Sequence, residues 1–360
     1  MSVTVDTASI TIPEPLAPLD GPAAWRGPAM AESEVWLERL DGREIDELEA
    51  AYSALEDRKV ALIDIDERNF VLPRLTERLT ALREEVVNGR GFVLLRGLPV
   101  GDWPLEKSAA IYWGIGRHFG NPRSQNGKGH LLGHVRDLGF DLKDENVRVY
   151  QTRERQTFHT DSCDIVSLLC LKTARSGGLS ALVSSVTVFN EMVRRRPDLA
   201  RRLFQPFATD RRGEVPEGQK PWFDLPVFNW FQGRLSTIYA RRYIESAQRF
   251  DAARRLSDDD REALDLFDSL AEDSSLNFEM EFRPGDMQFV NNHVMLHDRT
   301  GYEDWPEPER KRHLLRLWLA PPNGRPLPEV YAQRYGSVAV GERGGIICRE
   351  TELCAPLEAA

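Results

Sequence analysis

Phe158-His159-Thr160-Asp161 is the stretch on which the reading of the fold turns. In extended backbone, residues i and i+2 share a face, so His159 and Asp161 project together, an imidazole and a carboxylate aimed at one point. A third group of this kind is offered far downstream in NNHVMLHDRTGYED (291–304), at His297 or His293. Two histidines and one carboxylate on one face of a metal leave three positions open, the arrangement of non-haem Fe(II) oxygenases. HxD on its own is common, however, and the same side chains are equally readable as surface or core polar groups.

The segments around this stretch are strand-like. GFVLLRGLPV (91–100) is a short apolar run between glycines, and MQFVNN (287–292) and HLLRLWLA (313–320) read the same way. In RKRHLLRLWLAPPNGRP (310–326), one strand face carries Arg312, Leu314, Arg316 and Trp318; the other carries His313, Leu315, Leu317 and Leu319. If only one face is buried, the arginines lie in solvent. If helices cover the outer face, both faces are buried and the arginines must meet an anion. A planar guanidinium grips a carboxylate bidentately.

Farther out, helical spacing covers Ser33 to Leu55 with a break at Asp41-Gly42, then Pro73 to Val87, 105–119, Val186 to Phe204 capped by Ser184 or Ser185 and interrupted at Pro197, and Asp258 to Ala271 behind Ser257. Residues 123–137 read as a flexible polar loop that either lines a substrate entrance or is only solvated. The layout is helices first, then strands with a large helical insertion, which predicts an α+β chain built on an antiparallel sandwich or barrel.

Composition narrows the function classes. The 360 residues are 41% hydrophobic and 29% charged, globular values. Lys+Arg 47 against Asp+Glu 57 gives a formal net charge of −10, so a general nucleic-acid binder is not expected. No apolar run approaches the roughly 20 residues of a membrane helix. The opening residues lack a basic region followed by an apolar one, and the four cysteines show no zinc-like CxxC spacing. The expectation is a cytoplasmic enzyme with buried Cys163 and Cys170 and a small-molecule substrate, with neither nucleic acid nor membrane as partner; self-association into a homo-oligomer stays open. GIGRHFG (114–120) is not a dinucleotide fingerprint, because its spacing is GxGxxxG and it ends a helix.

Taken in order, HTD at 159–161, GGLS at 177–180, NNHVMLHDR at 291–299 and RHLLR at 312–316 resemble the TauD/TfdA (taurine dioxygenase and clavaminate synthase-like) family of Fe(II)/2-oxoglutarate dioxygenases. The resemblance covers roughly 90–320. It implies a double-stranded β-helix, or jelly-roll, with flanking helices. It implies iron at His159, Asp161 and His297, with His293 four residues early for the role. By the same resemblance Arg312 would hold the distal carboxylate of 2-oxoglutarate, helped by Ser180, while Arg316 would lie near the substrate or the iron. Arg155, like Arg153 close before HTD, would meet an anionic substrate or pair at the surface. The implied chemistry consumes O₂ and 2-oxoglutarate, releases succinate and CO₂, and oxidises, most simply hydroxylates, a small organic substrate. Halogenases of this broad class lack the carboxylate, so Asp161 argues against halogenation. The expected division is an arm over 1–30, one dioxygenase domain over 31–330 and a C-terminal extension over 331–360. The rival reading is a cupin-like metal-binding or sensor protein without turnover, which has no need of Arg312.

Overall fold

Residues 11–141 and 147–358 are described by the computed structural model. Two antiparallel sheets face each other. In the larger, the strand order is Leu37–Arg39, Phe92–Arg96, Met287–Asn291, Ile165–Lys172, His313–Ala320; Asn121–Arg123 and Leu132–Val135 both pair along the far side of the last. Only the edge pair Leu37–Arg39 with Phe92–Arg96 is parallel. The smaller sheet runs Phe278–Met280, Ser180–Ser184, Met295–Arg299, Gln156–His159.

The period of two along each strand explains three apolar layers. Phe92, Leu94, Val166, Leu314 and Trp318 of the larger sheet meet Leu182, Met280 and Met295 of the smaller between the sheets. Val93, Leu95, Phe289, Leu315, Leu317 and Leu319 point the other way. They pack under the helices Gly42–Arg58, Leu75–Asn88 and Leu105–Phe119, where Phe119 stacks on Phe289 at 3.7 Å between centroids. Phe158, Ala181, Val183 and Leu296 on the outside of the smaller sheet are covered by Ser185–Arg195, Pro197–Arg202 and Asp258–Ala271. The His313–Ala320 strand is therefore buried on both faces, and Arg312 and Arg316 point inward, at 4% and 6% exposure.

Several local expectations are met within a residue or two. Ser184 caps Ser185–Arg195 by accepting from the Thr187 amide, and Ser257 caps Asp258–Ala271. Others need correction. Ser33 to Leu40 is not helical: Leu37–Arg39 is a strand, because its backbone finds partners on Phe92–Arg96. The helix begins only at Gly42, behind a reciprocal Asp41–Glu44 cap. The 123–137 stretch is not a solvated loop. Leu131, Leu132 and Val135 are buried and Leu132–Val135 is a strand, so the polar residues around them hid a short apolar core segment. Between Ser184 and Phe278 the chain forms helices but also two hairpins, Pro206–Asp210 with Trp222–Pro226 and Phe228–Phe231 with Arg234–Thr237.

Both chain ends are tied to the sheets. Trp25 is buried against Phe92 and Phe278, and its Nε1 donates to the Arg90 carbonyl at 2.9 Å; residues 1–10 of the expected arm lie outside the described residues. After the short helix Ala332–Tyr335, the chain returns across the molecule. The Gly345 amide donates to the Ser162 carbonyl and the Ile346 amide to Ser124, while Leu131 donates to Cys354.

Candidate active site

His159 and His297 face each other across adjacent strands of the smaller sheet, with ring centroids 4.2 Å apart. The strand ends at His159, so Asp161 lies just beyond it and not on it. The extended course continues because Thr160 donates its amide to the Tyr239 carbonyl and accepts the Tyr239 amide on its hydroxyl. Asn292 then accepts the Asp161 amide at 3.0 Å. Asp161 thus points where His159 points: Oδ1 is 3.8 Å from His159 Nε2, and Oδ2 is 3.8 Å from His297 Nε2. One ligand atom from each of the three lies within 4.8 Å of the others.

The protonation pattern suits a cation. His159 Nδ1 is 2.8 Å from the Thr157 carbonyl, which can only accept, so Nδ1 carries a proton; Nε2 lies 2.8 Å from Gln156 Nε2 and faces Asp161. His297 Nδ1 is buried without a partner. Burial, His159 and Arg316 hold the His297 imidazole neutral, with its pKa lowered to about 3 despite Asp161. Burial pushes the Asp161 carboxyl up, but Arg316 and a 2.8 Å hydrogen bond from Trp318 Nε1 act against it and hold its pKa below the usual carboxylate value. Two imidazoles and a carboxylate are a donor set that suits a divalent metal such as iron.

Beside this cluster, Ser180, Gln288, Arg299 and Arg312 line a narrow inner pocket that His159, Asp161 and His297 also border. Arg312 lies 5.1 Å from the centre of the Tyr302 ring, and its Nη1 is buried with no hydrogen-bond partner. Burial lowers its pKa. The GGLS turn makes room for it: Gly178 has φ +69°, and a Cβ there would sit 3.0 Å from Arg312 Nε. The Ser180 hydroxyl donates to Gln288 Oε1 at 3.3 Å.

Above the cluster opens a cavity of about 360 Å³. Arg316 stands at its junction with the inner pocket, Nη1 3.7 Å from Asp161 Oδ2 and the guanidinium over the Tyr150 ring at 4.5 Å. Gln125 fixes it, accepting from Arg316 Nε at 2.6 Å and donating to the Arg316 and Leu131 carbonyls. Arg155 also borders the cavity, but its guanidinium is paired with Asp298 at 2.7 Å and Glu272 at 2.6 Å, which is the surface-pairing alternative. His293 lies apart from the three-residue cluster, with Nε2 2.6 Å from Asp164 Oδ1, and Arg343 pairs with the same carboxylate.

Sequence reasoning missed three participants. Arg299 follows His297 by two and so shares its face; strand period alone could have found it. It is buried, Nε and Nη1 lack partners, and burial with the neighbouring Arg312 pulls its pKa down to about 10. Gln125 sat in the stretch read as a loop. Arg334 lies beyond the last motif, in the C-terminal segment, and no local signal marks it.

Residues 56–318 match the model of the family described as taurine catabolism dioxygenase TauD, TfdA family. The chain belongs to this family and is an Fe(II)/2-oxoglutarate-dependent dioxygenase. Among its relatives, "FR-33289 synthase" of Streptomyces rubellomurinus is 30% identical over 330 residues, covering 90% of this chain and 97% of that protein. "Taurine hydroxylase-like protein SAT17" of Stachybotrys chartarum is 30% identical over 322 residues, covering 84% and 82%. Among solved structures, asparagine oxygenase in complex with Fe(II), 2S,3S-3-hydroxyasparagine and succinate superposes with a TM-score of 0.59 at 17% identity, over 79% of this chain and 93% of that one. The non-haem iron oxygenase OrfP with Fe and alpha-ketoglutaric acid gives 0.57 at 14%, with the same coverage. These two likenesses bear on the fold.

Proposed function

We propose that His159, Asp161 and His297 hold Fe(II), that Arg312 with Ser180 grips the distal carboxylate of 2-oxoglutarate, and that a small organic substrate is hydroxylated in the cavity above, with release of succinate and CO₂. The observation that carries this reading is the pairing of two features. One is a cluster of two imidazoles and a carboxylate with its ligand atoms within 4.8 Å; the other, in the same pocket, is a buried guanidinium whose Nη1 has no hydrogen-bond partner among the described residues. A metal-binding sensor needs the first and has no use for the second. Iron, when bound, supplies the O₂ activation and the oxidising power.

The chain's own groups bind and orient. The Thr157 carbonyl fixes the His159 tautomer, and the Trp318 indole and Arg316 keep Asp161 ionised. The Arg312 fork matches a carboxylate in a pocket where water is scarce, so each hydrogen bond there counts for more. Arg316 lies between cosubstrate and substrate volumes. Arg155 serves the substrate end indirectly, by bracing Asp298 beside His297. The two facing sheets are read as a double-stranded β-helix with 185–277 inserted as a largely helical lobe over the cavity mouth. The catalytic unit is 31–330, flanked by the arm and the C-terminal extension. Among the described residues no helix is long and apolar enough to cross a membrane; a cytoplasmic setting is part of this proposal.

The experiment is a succinate assay with Fe(II), 2-oxoglutarate and O₂ on the purified chain. Succinate formation that vanishes in His159→Ala is the expected result. A wild-type chain that binds iron but forms no succinate, with or without candidate substrates, would favour the sensor reading.

A further inference from the structure

Part of the cavity wall comes from the C-terminal segment. Arg334, on the short helix Ala332–Tyr335, lines the same cavity as His159 and Asp161, and so does Ile346. Both lie beyond residue 318, where the match to the family model ends. The segment is held firmly in place. Arg334 Nε donates to the Ser162 hydroxyl at 2.6 Å, next to Asp161, and Arg343 locks the following turn onto Asp164.

The charges around Arg334 do not balance. Among the described residues no carboxylate comes within ion-pairing distance of it; its other close neighbour is the Phe223 ring, 5.4 Å away. The nearest acid that acts on it is Glu214, which is already bonded to Arg148, a second arginine of the same cavity wall. Arg148 is close enough to oppose the charge on Arg334. Arg316 across the cavity has Asp161 for company. Among the described residues, Arg334 and Arg148 thus have the one carboxylate of Glu214 near them, inside a chain whose net charge is −10. The same cavity also has apolar lining, from Phe223, Leu225, Val227 and Ile238. Guanidinium forks recognise planar or tetrahedral oxyanions, and a buried cation left without one is costly.

We propose that Arg334 and Arg148 form an oxyanion subsite, and that the substrate is a small molecule with a carboxylate, phosphonate or phosphate head bound there and an apolar body that presents a carbon to the iron cluster. This rests on the dioxygenase reading above and adds the substrate class and the role of the C-terminal segment. Arg334 is a binding residue for the head group, and Arg148 is held ready for it by the Tyr243 hydroxyl, 2.7 Å away, and by Glu214.

The test is calorimetric titration of inorganic phosphate and, separately, acetate into the anaerobic chain loaded with Fe(II) and 2-oxoglutarate. Saturable binding of at least one anion is expected. It should weaken at least about 10-fold in Arg334→Gln and less in Arg334→Lys, the range for a lost charged hydrogen bond. The affinity for 2-oxoglutarate itself should be unchanged in both variants, which shows that they are folded and that the anion does not sit on Arg312. The anion that binds tighter distinguishes a phosphonate or phosphate head from a carboxylate one. Absence of saturable anion binding, unchanged binding in Arg334→Gln, or a parallel loss of 2-oxoglutarate affinity would each overturn the subsite. Failure of the wild-type chain to bind 2-oxoglutarate at all would instead overturn the reading beneath it.

Discussion

At the scale of single residues, the site is a set of polar groups whose burial demands a partner. Arg312 is the clearest case, enclosed, with its Nη1 unsatisfied and its charge opposed by burial. A lysine there keeps the charge and loses the fork. We expect Arg312→Lys to weaken 2-oxoglutarate binding by about 1.5–3 kcal/mol, or about 10- to 150-fold, in an anaerobic titration with Fe(II). An affinity equal to wild type would mean that the guanidinium serves only the packing against Tyr302. The HTD motif and the RxxxR strand were legible because their meaning lies in spacing that a strand preserves. Gln125, Arg299 and Arg334 were not, because each gains its role from a neighbour distant in sequence: Arg316 for Gln125, Arg312 for Arg299, Ser162 for Arg334.

Among elements, the capped and strongly periodic helices were readable to within a residue or two, since Ser184 and Ser257 mark their starts chemically. The misread pieces are edge strands. Leu37–Arg39 and Leu132–Val135 are three and four residues long, too short for a period to show, and they exist because a longer strand beside them offers free backbone groups. Leu132–Val135 also carries a histidine pair. His134 Nε2 is 2.9 Å from the Pro356 carbonyl and so bears a proton, which leaves Nδ1 to accept from His313 Nε2 at 2.8 Å. Burial lowers the pKa of both rings. Burial, His134, Arg136 and Lys172 lower the His313 pKa to about 3, against about 6.5 in an unfolded chain. Because the folded value lies below the unfolded one, this stabilisation is complete above about pH 6.5 and fades as pH falls from there towards 3. The melting temperature should therefore drop between pH 7 and 5, and drop less in His313→Gln. An identical pH profile for the two proteins would show that the pair does not couple to folding.

For the whole molecule, one layered arrangement explains why the polar site is inside. Helices cover both outer faces of the sandwich, and the inward-facing Arg312, Arg316 and Arg299 are buried between the sheets. The sequence left the arginines of RxxxR undecided between solvent and interior; the covering helices decide it, a property of packing that no single strand encodes. The same layering separates two histidines four residues apart. His297 faces the cluster, while His293 is consumed by Asp164 and Arg343 in tying down the C-terminal segment. The central claim is that iron sits on His159, Asp161 and His297. The measurement is Fe(II) stoichiometry by anaerobic equilibrium dialysis of the wild-type chain, His297→Ala and His293→Ala. One iron per chain in the wild type, its loss in His297→Ala and its retention in His293→Ala are predicted. Full occupancy in His297→Ala, or loss in His293→Ala alone, would contradict the account.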